Sequence, residues 1–434
     1  LEAAPPILKE GPVDSVNTEF FTLQTNKVDQ FLALRGAACL IVLLGHAFMR
    51  MRTLMDPLII GGVDLTWLLR PNAAMGMYVF FTLSGYLMGN QFFSGKYTVS
   101  RQGICSFFRA RAMRIAPLFY ALTLFYLIYD GVDFLRDFHP NQLLKILTFT
   151  FSIWPFDYAG EHFWSIATEM QFYLTVPALF FICKRFCKNG YFLTASLVCV
   201  LVCLEYYRVQ TYFKCLYPNG ALNMTLYHKK IYYPLIGNLD AFFIGFWLNM
   251  FYEWLGNSNS SQNISKVKRF FAGLVERLKG PRSAKSALSL LFIAWSTILL
   301  SCVVIARFQA NDQMELMALQ TGVINLMTAA ATAVFIIIAH GAENNIKNAR
   351  LNLDSCWKNP FRLLECIGVL SYGIYLWHIS IMAFLAMIII RTNSFHEYLL
   401  LIFSTTAVTI LFATVTYIGI EKPINQMRYK LSDK

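Results

Sequence analysis

Ten apolar runs, each about long enough to cross a bilayer, constrain this chain more than any other feature. A helix rising about 1.5 Å per residue needs about 20 mainly apolar residues to cross hydrocarbon about 30 Å thick. Runs of that kind lie near 29–49, 73–93, 115–133, 163–183, 190–207, 231–252, 286–306, 318–340, 363–390 and 398–420. Composition agrees, since 56% of residues are hydrophobic and only 14% charged, with mean hydropathy +0.48. Soluble domains keep about a quarter of their residues charged to wet the outer face. The expected fold is therefore an all-α polytopic membrane protein of about ten transmembrane helices. The stretch 141–153 is apolar but short, and reads as an interfacial or re-entrant helix. Were it to span, every later orientation would flip.

Charge sets the expected orientation. With the N-terminus inside, the cytoplasmic loops carry Lys96, Arg101, Arg109, Arg111 and Arg114, then Lys184, Arg185 and Lys188, a basic stretch from Lys266 to Lys285, and Lys347 to Arg362. The opposite loops carry about half as many, so the positive-inside rule predicts both termini cytoplasmic. The net charge of +12 resides in these short loops, which argues against nucleic-acid binding. Ten cysteines lie mostly inside apolar runs without paired metal spacing, and read as small buried residues. Residues 1–26 are polar, with Pro5 and Pro6, and are set aside as a tail or cloning remnant, while 426–434 form a C-terminal tail. No internal repeat is visible.

Ionisable side chains inside spans are expensive and mark candidate sites. Arg35 and His46 are eleven residues apart in the first span. At 100° per residue they share one helix face within about 20° and stand roughly 16 Å apart along the axis. Glu169 and His378 are expected at the depth of His46, in the outer third, as a general base with a carboxylate to orient it. Arg111 and Arg114 are one turn apart in a basic cluster with Arg109 and suit phosphate oxygens, although positive-inside anchoring explains them too. Tyr372, Tyr375 and His378 form a stripe at three-residue spacing that serves either as an interfacial anchor or as a hydrogen-bonding surface for substrate. Asp240 is a lone carboxylate in the sixth span, which calls for a cavity or a cation beside it.

Five segments, in order along the chain, carry a resemblance: 34–46 (LRGAACLIVLLGH), 80–87 (FFTLSGYL), 109–117 (RARAMRIAP), 164–174 (WSIATEMQFYL) and 371–378 (SYGIYLWH). The chain resembles the acyltransferase-3 family of membrane O-acyltransferases. The resemblance implies that His46 is catalytic, that Arg35 belongs with it, that Arg111 and Arg114 meet the acyl-donor coenzyme, and that Glu169, Ser84 and Asp240 match motif positions. Glu421 and Pro423 resemble the family's closing motif. Departures are Met170 in place of a second acid, Tyr78 before Phe80, and Asn238 in place of the Arg before Asp240, which leaves a salt bridge to Asp240 open.

On this resemblance, 27–425 is a transmembrane acyltransferase domain. It is expected to move an acyl group, acetyl first, from cytosolic acyl-coenzyme A (acetyl-CoA) to a hydroxyl of a glycan, lipid or small molecule. His46 and Glu169 would be catalytic; Arg35, Arg109, Arg111 and Arg114 would hold the donor; Ser84, Asp240, Tyr372, Tyr375 and His378 would support substrate. No metal is expected. Only a dozen or so residues follow Ile420, so the form without an appended soluble hydrolase-like domain is expected. The setting would be a bacterial cytoplasmic membrane or a eukaryotic endomembrane. A secondary transporter with buried ionisable sites is the alternative of a different class.

Overall fold

The computed structural model describes residues 29–51, 59–64, 72–130, 140–151, 161–186, 190–217, 220–256, 269–270, 272–273, 320–341, 360–392 and 394–432. The long helices are α1 (Gln30–Met51), α2 (Ala73–Phe93), α3 (Arg101–Asp130), α5 (Trp164–Phe186), α6 (Gly190–Lys214), α7 (Leu235–Gly256), α8 (Asn325–Gly341), α9 (Pro360–Ile389) and α10 (Phe395–Thr416). Short α4 (Pro140–Leu147) lies between α3 and α5, and α11 (Lys422–Ser432) continues α10 through a π-helical turn, Tyr417–Glu421. Strand is confined, among the described residues, to a two-residue hairpin pairing Ile59–Ile60 with Val63–Asp64.

Eight of these helices are long and apolar enough to cross a membrane, so the chain is an all-α polytopic membrane protein. Helix α2 is equally long yet falls outside the eight. Its Gly, Ser, Thr and Tyr residues face other helices, and nearly its whole surface is buried. The expected span at 286–306 lies outside the described residues. The third helix begins at Arg101 rather than near 115, because 101–114 continues the same helix beyond the apolar run.

Pairs of contacts fix helix directions. Leu32 meets Gly368 and His46 meets His378, so α1 and α9 run parallel. Helix α3 joins them, with Tyr372 bonded to Ile115 and Tyr126 to Ser380. Helix α2 opposes α1, Phe31 lying on Tyr86 and Val42 against Gly76. Helices α5 and α7 run with α2, through Phe81–Trp164 and Phe92–Phe180, and through Tyr78–Asn238 and Tyr86–Asn249. Helix α10 opposes α9, with Ala413 beside Gly373 and Tyr398 clustered with Met382. The start of α1 and the end of α10 therefore share a face.

The same bookkeeping settles the short apolar stretch. Phe163, entering α5, packs on Phe119 and Tyr126 of α3, so α3 ends and α5 begins on one side. Helix α4 has eight residues, about 12 Å, too short to cross. Tyr120 donates to the Leu147 carbonyl at 2.7 Å and Gln171 to the Phe149 carbonyl at 3.0 Å, which draws the stretch inward as a re-entrant segment. Phe149 takes the left-handed conformation (φ 54°) where the chain turns back.

Lipid tails are as apolar as Leu, so helices associate in membranes through close fit, and small residues carry it. A Cβ at Gly36 would stand 1.9 Å from the Leu364 carbonyl oxygen, and one at Gly368 1.9 Å from that of Leu32. Gly85 and Gly245 repeat the arrangement between α2 and α7, at 2.0 Å from the Phe242 oxygen and 1.9 Å from the Thr82 oxygen. These two near-contact seams bring the polar side chains of facing helices within hydrogen-bond reach.

Candidate active site

The α1–α9 seam carries the site. Nearly three turns beyond Gly36 and Gly368, His46 Nδ1 lies 2.8 Å from His378 Nε2, their rings stacked with centroids 5.1 Å apart. His378 Nδ1 lies 2.7 Å from the Tyr375 carbonyl oxygen, which can only accept. The network therefore assigns the His378 proton to Nδ1, leaves Nε2 as acceptor and makes His46 Nδ1 the donor. His46 Nε2 then holds a lone pair, and the residue is half-buried. An imidazole with one nitrogen fixed by a hydrogen bond and the other unprotonated is poised to take a proton.

His162 completes the cluster, and sequence reading had passed over it. It is buried, its Nε2 lies 3.2 Å from the Leu376 carbonyl, and its ring centroid is 5.1 Å from that of His378. Tyr375 donates its hydroxyl to the His162 carbonyl at 2.5 Å and pairs with Ser165 at 2.6 Å. These bonds staple the entrance of α5 to the turn of α9 that carries His378. His162 lies two residues ahead of the Trp164 segment and belongs to no charge pattern; only its burial exposes it. Among the described residues no group of three His, Cys, Asp or Glu side chains could hold a metal ion.

Glu169 is a correction to the expected pairing. It accepts from Ser84 at 2.5 Å and bonds Tyr173 rather than His46. The expectation placed the start of the Trp164 helix at the membrane surface. In fact His162 and Phe163 are already buried at the level of His378, and Glu169, seven residues further, lies about 10 Å deeper. There it is electrostatically coupled to Arg35, as are Arg114 and Tyr173. Arg35 itself reaches Ser371 at 3.4 Å and lies 5.6 Å from the Phe80 ring.

The basic segment is helical rather than a loop. Arg111 and Arg114 share a face of α3, Arg111 partly buried and Arg114 exposed, whereas Arg109 lies about 200° round the helix from Arg111 and the structure does not bring it into the cluster. Arg111 donates to the Met88 sulfur at 3.5 Å and lies 5.9 Å from the Phe107 ring. Glu421, from the π turn after α10, couples to Arg114 and Arg35. The Nε atoms of Arg35 and Arg111 are buried without a hydrogen-bond partner. Orphaned guanidinium donors of this kind suit an anion with several oxygens, as a coenzyme's phosphates provide.

The remaining candidates support the frame. Tyr372 spends its hydroxyl on the Ile115 carbonyl at 2.7 Å, tying α9 to α3. Asp240 is fully buried and pairs with Arg208 of α6 at 2.8 Å. The arginine missing beside Asp240 in sequence is thus supplied by a neighbouring helix. Arg208 also bonds Glu205 at 2.5 Å and the Gly237 carbonyl at 3.3 Å.

A family model described as an acyltransferase domain matches residues 29–414 of the 434, from α1 nearly to the end of α10. The chain belongs to the acyltransferase-3 family. It is accordingly an integral membrane acyltransferase, and the transporter alternative gives way to this membership. No curated protein and no solved structure matches the chain. Within the acyltransferase-3 match lie every histidine of the cluster and every arginine named above.

Proposed function

We propose that this acyltransferase uses acyl-coenzyme A, acetyl-CoA first, as donor, and that His46 is the general base that activates the acceptor hydroxyl. The observation that carries the reading is the His46–His378–Tyr375 carbonyl chain, which leaves His46 Nε2 with a free lone pair. As the hydroxyl oxygen attacks the thioester carbonyl, Nε2 takes its proton. His378 Nε2 accepts from the Nδ1–H of the imidazolium and holds its orientation, the role expected of Glu169. The carbon–sulfur bond breaks, the thiolate leaves, and the proton on Nε2 returns to it, so that ester and thiol are the products.

The donor's phosphates cannot enter hydrocarbon, and Arg111 and Arg114 lie at the end of the bundle where α1 starts and α10 ends. The Lys and Arg bias of the loops supports assigning that face to the cytoplasm, with both termini there. Arg35 stands between, about 16 Å below His46 on the same face of α1, a span of the order of a pantetheine arm. Glu169, bonded to Ser84 and Tyr173, balances the Arg35 charge along the way. The acceptor is a hydroxyl compound reaching His46 from the opposite side.

The test is single-turnover transfer from radiolabelled acetyl-CoA in wild type and His46→Ala, with CoA-induced thermal stabilisation measured alongside. The expected result is loss of transfer with stabilisation retained. Normal turnover by His46→Ala would remove the base, and absence of stabilisation in wild type would remove the donor.

A further inference from the structure

Helix α10 does not stop where the acyltransferase-3 match stops, at residue 414. It passes through Tyr417–Glu421 into α11, so that 395–432 forms one rod of 38 residues. At 1.5 Å per residue that is about 57 Å, nearly twice the hydrocarbon thickness, and its last turns must emerge from the apolar layer. Their sequence, KPINQMRYKLS, has the polarity of an emerging segment. Helix α11 packs against α3 as it leaves. Counting about 20 residues back from Asp130 places the apolar boundary of α3 close to Arg111. The two helices therefore leave the membrane side by side at the level of the arginines.

Arg428 sits on this stretch of α11, partly buried. After Tyr173, the groups that act on Arg111 are Arg114 and Arg428, both positive. Arg111 finds only a sulfur acceptor for Nη1, and its Nε is buried without a partner. Three guanidinium groups from two helices thus act on one another, with the Glu421 carboxylate reaching Arg114, and an anion with several oxygens bound among them would gain from all three. A pyrophosphate or phosphomonoester has the charge and oxygen spacing to do so.

We propose that Arg428 is a binding residue for the phosphate groups of the donor nucleotide, and that α11 forms one wall of their pocket. This rests on the reading of Arg111 and Arg114 as the donor's anchor, and extends it to a helix beyond the family match.

Thermal unfolding of the purified full chain under CoA titration, at fixed ionic strength, tests it in wild type, Arg428→Gln and Arg428→Lys. Arg428→Gln is expected to weaken the apparent Kd for CoA by about tenfold or more, from loss of a charge-assisted contact. Arg428→Lys, which keeps the charge and loses the fork, is expected in between, and it supplies the comparison should Arg428→Gln fold poorly. If CoA stabilises wild type and both variants equally, the assignment of Arg428 is overturned while the donor reading stands. If CoA fails to stabilise wild type, both fall.

Discussion

The role proposed for His46 depends on what its neighbour's backbone does. The Tyr375 carbonyl dictates the His378 tautomer, which dictates that of His46. A substitution that preserves an acceptor opposite His46 Nδ1 should therefore preserve more activity than one that removes it. His378→Ala is expected to lower kcat by about 10²-fold or more, within the usual range for misplacing a general base. His378→Gln, whose amide oxygen can accept the bond, should retain more, with donor KM unchanged in both. Equal kcat in the two variants would show that the bond to His378 does not orient the base. His162→Ala should act more weakly and through kcat alone, because it touches the Leu376 carbonyl and not the substrate side of His46.

Between elements, the seams of small residues decide whether these side chains meet. At Gly36 and Gly368 even a methyl group would fall 1.9 Å from a carbonyl oxygen of the facing backbone, where no flexible side chain can yield. Gly36→Ala or Gly368→Ala must push α1 from α9 and pull His46 from His378, costing about 1–3 kcal/mol as overpacking does. Both are expected to lose Tm and transfer together, whereas Gly419→Ala, with open space around it, should change neither. Helices α6 and α7 are joined differently, by the buried Arg208–Asp240 pair. Removing one partner leaves the other charge buried, so Arg208→Ala should cost about 3–5 kcal/mol in unfolding measurements. A loss below about 1 kcal/mol would mean that the pair is hydrated.

For the whole molecule, the arrangement of directions makes the two ends of the described chain share a face, and the proposal puts that face in the cytoplasm on the loop charges. Tags at the N- and C-termini should both be reached by antibody only after permeabilisation, and a cysteine placed at Gly61, in the hairpin between α1 and α2, should be labelled from outside in intact cells. Labelling of Gly61→Cys from the same side as the tags would refute the topology. The bundle then places Arg111 and Arg114 toward one face and the histidines toward the other. That layout is the one the proposed transfer across a membrane calls for, since neither substrate would have to cross.

Hydropathy alone revealed nine of the described helices and the non-spanning character of 141–153, because crossing hydrocarbon demands length and apolarity that no other structure imitates. The cost of ionisable groups inside spans singled out Arg35 and His46 as candidates, and the motifs added the Arg111–Arg114 pair at the edge of the third span. Depth and partnership were another matter. Whether Glu169 or His378 faces His46, and which helix supplies the cation for Asp240, depend on how far each helix is sunk and rotated against its neighbours. Those offsets arise from glycine seams and a re-entrant segment that bring residues hundreds of positions apart into contact, and a one-dimensional pattern holds no record of them.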